Sequence, residues 1–149
     1  MLIFLFASVF ALQAKVELSP IFADNMVLQQ QTDAALWGHA KPDAIVTITT
    51  TWSEETTTAN ADADGKWFAR VATPVAGGPY EITFCDGENT TLKNVLIGEV
   101  WICSGQSNME LPNISITDVQ KLYDEIAGKN IRVYHVDYPA FGGGGEFPW

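Results

Sequence analysis

The chain has 149 residues and a net charge of −10 at neutral pH, from 8 basic and 18 acidic side chains. Such an acidic chain offers no cationic groove, so we exclude nucleic acid as a partner. The length suffices for one domain with a hydrophobic core, or for one domain and part of a second.

The amino-terminal residues predict a secretory signal peptide. Residues 2–12 form an apolar run too short to cross a bilayer as a helix, and the small residues Ala11 and Ala14 lie at its end, as a signal peptidase site requires. The region before the run lacks Lys and Arg, and a buried amino-terminal strand is the alternative. We predict cleavage after Ala14, or after Ala11. The mature protein is then secreted, periplasmic or, in a eukaryote, lysosomal, without membrane contact.

The two cysteines, Cys85 and Cys103, permit a disulfide after export but are weak evidence for one. Cys103 stands in an apolar run, so we predict that it packs as a small buried side chain. The sequence has no Cys-x-x-Cys pair and no histidine-rich spacing, and we predict neither a metal nor a cofactor.

Residues 15–97 have the pattern of an antiparallel β-sandwich. Short segments rich in β-branched and aromatic residues alternate between apolar and polar positions, as residues 66–71 do. Turn residues separate them: residues 62–65 predict a hairpin, residues 77–79 a second turn and residues 86–89 a third. We therefore predict a mainly β fold for this region.

The pattern changes after Gly98. Residues 99–103 predict a continuous apolar strand, residues 116–127 have apolar side chains at helical spacing, and residues 131–136 predict another strand. Strand, helix and strand make one βαβ unit, which is the beginning of a parallel sheet.

The sequence thus predicts three parts. They are a signal peptide at residues 1–14, a β-sandwich at residues 15–97, and the truncated beginning of an α/β domain at residues 98–149. One βαβ unit cannot bury its own faces, so we predict an exposed, unfinished sheet edge.

A small polar turn follows residues 99–103 and carries Ser107. In α/β folds, ligands and chemistry collect at the carboxyl ends of strands. A serine hydroxyl on a tight turn from strand to helix, beside free backbone N–H groups, is the arrangement that a serine hydrolase needs. The alternative is an ordinary helix-capping or turn serine, because Gly-x-Ser alone is a weak signal. Gln106 and Asn108 are expected to bond to the local backbone.

For the residues that flank this turn we predict structural roles. Trp101 and Met109 are predicted to pack in a core. Glu99 and Glu110 are predicted to be surface charges, since no second feature supports a carboxylate pair for glycoside hydrolysis.

Residues 98–109, which read GEVWICSGQSNM, closely resemble the nucleophile block of the sialate O-acetylesterase family, a family of SGNH hydrolases. Residues 21–30, IFADNMVLQQ, are similar to the amino-terminal signature of that family. The placement of residues 64–67 and 78–80 is similar as well, and the resemblance covers about residues 20–136.

The resemblance implies an exported carbohydrate esterase with a β-sandwich before an SGNH-type α/β esterase domain. It implies that the parent protein removes acetyl groups from sialic acid or another O-acetylated sugar, with Ser107 as nucleophile and its backbone N–H in the oxyanion hole. The family's Gly and Asn donors and its Asp and His come from later blocks. His39 lies inside the predicted sandwich, and Asp137 follows His135 at the wrong spacing, so neither histidine is assigned a role. We therefore predict that this chain is an incomplete fragment with little or no esterase activity of its own.

Two further interpretations stay open. One is a non-catalytic carbohydrate-binding or scaffold β-sandwich, with Trp37, Trp52 and Trp67 stacking on sugar rings if they form an exposed row. The other is one half of a split enzyme whose partner supplies the missing Asp and His. The sequence predicts no oligomeric state.

Overall fold

The computed structural model describes residues 15–105 and 118–134. In these residues it has eight β-strands followed by one α-helix. Their bounds are β1 Glu17–Leu18, β2 Val27–Gln29, β3 Asp33–His39, β4 Ile45–Thr50, β5 Ser53–Asn60, β6 Lys66–Ala72, β7 Gly77–Cys85, β8 Asn89–Gly98 and α1 Val119–Ile126. The predicted signal peptide lies outside the described residues.

Two sheets form the sandwich. The smaller sheet has the order β1-β3-β6 and the larger one the order β2-β8-β7-β4-β5. All neighbouring strands of the described residues pair antiparallel except β2 and β8, which run parallel. The prediction of a mainly β fold is confirmed, and the single parallel pair is a feature that the sequence pattern did not predict.

The core lies between the two sheets. Along β6, Trp67, Ala69 and Val71 are buried while their neighbours are exposed, so the strand presents one face to the core and one to solvent. The Trp67 ring lies 5.7 Å, centroid to centroid, from the ring of Phe84 in the opposite sheet. Fully buried aliphatic side chains complete the packing; they are Leu36, Val46, Ile48, Ile82 and Val95. These contacts anchor both sheets as one sandwich.

Two of the predicted turns have different roles in the structure. Residues 77–79 do not form a turn but begin β7, with a register irregularity before Tyr80. Residues 62–65 do form a tight turn, closed by a 2.9 Å hydrogen bond from Gly65 N to Asp62 O, but it is not a hairpin. The strands on its two sides belong to different sheets, because β6 pairs with β3 rather than with β5.

The segment after Gly98 also departs from the prediction. Helix α1 lies inside the predicted range, but residues 99–105 and 131–134 are not in strands, so the two strands of the predicted βαβ unit are absent from the described residues. Trp101 is 83% exposed and Cys103 is exposed too, so neither packs in a core as predicted. A strand needs a neighbour to pair with and cover it, and no described strand pairs with residues 99–105 or 131–134. Cys85 and Cys103 are both free thiols.

No helix among the described residues is long and apolar enough to span a membrane. Helix α1 buries none of its described side chains. Its apolar residues Leu122, Tyr123 and Ile126 are each partly accessible to solvent.

Candidate functional site

The predicted nucleophile, Ser107, lies outside the described residues, as do Gln106, Asn108, His135 and Asp137. The structure nevertheless describes the chain on both sides of it, up to Gly105 and again from Asp118. The site can therefore be built from its two flanks, each of which contacts the sandwich.

The first flank leaves the sandwich where two parallel strands end together. Strand β2 pairs with β8 so that Gln29 lies opposite Gly98, and Gln30 N donates to Gly98 O at 2.8 Å. Because parallel strands have their carboxyl ends at the same edge, the residues after β2 adjoin those after β8. Residues 99–105, which lead to Ser107, therefore begin beside Gln29 and Gln30.

Glu99 is held there by two glutamines. Gln30 Nε2 donates to Glu99 Oε1 at 2.6 Å, and Gln29 Nε2 donates to Glu99 Oε2 at 3.1 Å. The other end of each amide is also used: Gln29 Oε1 accepts from Val100 N and Gln30 Oε1 from Ala76 N, each at 2.8 Å. Both carboxylate oxygens and both amides are thus satisfied in one network. Glu99 is a surface charge as predicted, and it has specific partners.

The Glu99 network predicts a measurable pH effect. The hydrogen bonds from Gln30 and then Gln29 lower the pKa of Glu99, since they favour the carboxylate, and partial desolvation opposes them weakly. The folded-state pKa lies below that of the unfolded chain. The network therefore stabilises the fold above the unfolded-state pKa, and this stabilisation is lost as the pH falls through the folded-state pKa.

We expect the Gln30→Ala variant to raise the pKa of Glu99 toward that of a free glutamate, as read from the carboxyl carbon signal by NMR titration. Gln120→Ala removes a glutamine in α1, whose side chain bonds to Asp124 instead, and serves as the matched control. An unchanged Glu99 titration in Gln30→Ala would contradict the network.

The second flank contacts the sandwich through Arg132. Its Nη1 donates to Met26 O at 3.2 Å and to Asn94 O, and its Nη2 donates to Asn94 Oδ1 at 3.1 Å. Arg132 follows α1, so the guanidinium links the chain after the helix to β8 and to the residue before β2. A guanidinium suits this position because its donors lie in a fixed planar fork.

A bulge in β8 provides two of the three acceptors for Arg132. Tyr80 pairs with Val95 and Ile82 with Leu92, so Lys93 and Asn94 together face the single residue Glu81. Asn94 has a φ of 55°, which turns its backbone out of the regular ladder. Its side chain also donates from Nδ2 to Asn25 Oδ1 at 2.6 Å. The residues before β2 and the bulge thus form one polar surface that receives Arg132.

The sandwich tryptophans do not form an exposed row. Trp67 is buried, while Trp37 and Trp52 are partly buried and pack against the core. Trp37 contacts the Phe22 ring, and Trp52 donates from Nε1 to Ala72 O at 3.0 Å. The sugar-binding alternative therefore lacks the aromatic platform that it requires.

Among residues 15–105 and 118–134, no group of three or more His, Cys, Asp or Glu side chains could hold a metal ion. Asp62, which lies in a turn, accepts at Oδ1 from Asp64 N and Lys66 N at 2.9 and 2.8 Å. Its carboxylate shapes that turn, as the turn signal at residues 62–65 indicated. His39 is exposed at the end of β3.

Sequence reasoning did not assign Gln29, Gln30, Asn94 or Arg132 to the site. The glutamine pair directly after an apolar strand was the available signal, since such a pair at a strand end provides donors and acceptors beyond the ladder. Nothing in the sequence pattern marked Arg132, whose acceptors depend on the bulge at Asn94.

Comparison with known proteins gives consistent results. Mouse sialate O-acetylesterase (Mus musculus) is 35% identical over 127 aligned residues, with 77% of this chain and 24% of the mouse protein covered. The human enzyme (Homo sapiens) is 34% identical over 125 residues, with 76% of this chain and 24% of the human protein covered. The crystal structure of a carbohydrate acetylesterase from Xanthomonas citri matches with a TM-score of 0.68 and 32% identity, covering 76% of this chain and 26% of that one. No protein-family model matches.

The chain spans about a quarter of the length of the curated relatives that it matches. The similar structure is likewise covered over 26% of its chain. Sequence and fold agree on the same relationship: over the shared segment, the chain is similar to sialate O-acetylesterases in sequence and to a carbohydrate acetylesterase in fold.

Proposed function

We propose that the protein acts as a carbohydrate O-acetylesterase, and that its substrate is an O-acetylated sugar such as an acetylated sialic acid. The observation that carries the proposal is the 35% identity with mouse sialate O-acetylesterase over 127 residues. The match to a carbohydrate acetylesterase structure at 32% identity supports the same reaction class. Acetyl-ester hydrolysis on sugars is common to both names, so the reaction is better supported than the choice of sugar.

We propose Ser107 as the nucleophile of this reaction. A histidine from another part of the complete protein takes the Ser107 proton as Oγ attacks the acetyl carbonyl. The tetrahedral oxyanion is stabilised by backbone N–H groups, including that of Ser107, until the sugar hydroxyl leaves with the proton from the histidine. Water then attacks the acetyl-enzyme, acetate is released, and Ser107 recovers its proton. No metal or cofactor takes part in these steps.

A covalent probe tests the assignment directly. The complete gene product that contains this chain is treated with a fluorophosphonate, which phosphonylates an activated serine hydroxyl, and the modified peptide is identified by mass spectrometry. We expect modification at Ser107 and not at Ser104, together with release of acetate from 9-O-acetylated sialic acid or from acetylated xylan. Modification elsewhere would remove Ser107 from the mechanism, and absence of acetate release from either sugar would contradict the proposed function.

A further inference from the structure

We call residues 99–132 the nucleophile-bearing region, because they include Ser107. The residues that surround β2 contact both ends of this region. We call residues 24–30 the β2 segment. Its carboxyl end holds Glu99 and Val100 through Gln29 and Gln30, and Val100 is seven residues before Ser107. Met26, the residue before β2, accepts at its backbone oxygen from Arg132 on the other side of α1.

The β2 segment is itself firmly tied to β8. Asn25 N donates to Lys93 O at 3.0 Å, Lys93 N donates to Asp24 Oδ1 at 2.7 Å, and Leu96 N donates to Met26 O at 3.0 Å. Strand β8 lies inside the larger sheet, between β2 and β7, and contributes the buried residue Val95 to the core. The β2 segment therefore has a rigid support, which a surface loop would lack.

The chemistry of the two contacts suits positioning more than stability. Glu99 is exposed, and hydrogen bonds at the surface contribute little net free energy because water competes for the same groups. These hydrogen bonds do fix the orientation of the two side chains. Both oxygens of the Glu99 carboxylate accept a bond, and the Arg132 guanidinium donates to three acceptors. A small displacement of a nucleophile can lower the rate by about 100-fold.

We propose that the β2 segment positions the nucleophile-bearing region, holding it before Ser107 through Glu99 and after α1 through Arg132. Glu99, Gln30 and Arg132 are then positioning residues for acetyl transfer. The inference rests on the proposed function, because it gives these contacts a role in the same reaction. It adds that the sandwich is part of the esterase machinery rather than a separate module.

An exchange of two side chains tests the Glu99 contact. Gln30→Glu places two carboxylates together, and Glu99→Gln removes one acceptor oxygen, so each single variant should break the network. The double variant restores one carboxylate facing one amide, while residue 30 still offers an oxygen to Ala76 N. In the complete gene product we expect each single variant to lower kcat about 10- to 100-fold with little change in KM. The double variant should return to within about threefold of the unchanged protein.

Matched variants separate positioning from general damage. Glu54→Gln makes the same chemical change at an exposed site in β5 and should leave kcat unchanged. Arg132→Ala should lower kcat as the Glu99 variants do, whereas Arg70→Ala, at the outer face of β6, should not. Single variants with unchanged kcat, or a double variant no better than the singles, would overturn the proposal.

A readout without catalysis keeps the proposal testable if the protein proves inactive on acetylated sugars. In the 149-residue chain, hydrogen exchange at the Val100 amide should become faster in Gln29→Ala, because its acceptor is removed. Exchange around residues 129–134 should become faster in Arg132→Ala. Faster exchange in a protein without esterase activity would support the contacts and refute the proposed function, while unchanged exchange would refute the positioning role itself.

Discussion

We expect Phe84→Ala to lower the free energy of unfolding by about 3–5 kcal/mol. Phe84 is 0% exposed near the carboxyl end of β7, and its ring faces Trp67 across the interface between the sheets. Alanine would leave a cavity that the β-strands on either side cannot close without breaking their own pairing. Because small domains are stable by only about 5–15 kcal/mol, this loss removes a large share of the total stability. Chemical denaturation of the 149-residue chain, followed by tryptophan fluorescence, measures the change.

Phe68→Ala is the matched control. Phe68 is 56% exposed on the outer face of β6, where it contacts the Arg70 guanidinium at 5.5 Å. Its replacement should cost no more than about 1 kcal/mol, since the side chain already lies largely in water. Equal losses in the two variants would show that the interface between the sheets is not the core of the molecule.

The existence of the sandwich followed from local pattern, because alternation of apolar and polar residues reports which face of a strand is buried. Strand β6 is the clearest case, where the buried Trp67, Ala69 and Val71 fall on every second residue. The pairing of the strands did not follow from the local pattern. The tight turn at residues 62–65 suggested a hairpin, yet β6 pairs with β3 across a long sequence separation. Local turn chemistry does not specify a partner that lies far away in sequence.

The region of the candidate site was predicted less well, for a physical reason. The apolar residues Trp101 and Ile102 indicated a buried strand, but they are 83% and 84% exposed. The apolar character of a side chain shows that it is suited to burial, whereas burial itself needs neighbouring elements that cover it. The contacts of Arg132 depend on the bulge at Asn94, a feature of pairing between β7 and β8 that no single segment encodes. Ser107 stays a prediction, because it lies outside the described residues.

The largest effect on function is expected from Ser107→Ala in the complete gene product. Without the hydroxyl no acetyl-enzyme forms, and we expect kcat for acetate release to fall by at least about 1,000-fold. Binding of the acetylated sugar should be retained, because the substitution removes only the attacking oxygen of the side chain. Acetate release measured against sugar concentration separates the two quantities, and the fluorophosphonate should no longer modify the protein.

Ser104→Ala is the control for this loss, since Ser104 is a neighbouring serine three residues earlier in the same segment. It should keep kcat within about tenfold of the unchanged protein, as expected for a residue that forms no bond to the acetyl group. Turnover retained in Ser107→Ala would assign the nucleophile elsewhere. Sugar binding without turnover in the unchanged protein would instead favour the non-catalytic module. In that case the contacts of Glu99 and Arg132 would serve to hold the two parts of the chain together rather than to position a nucleophile.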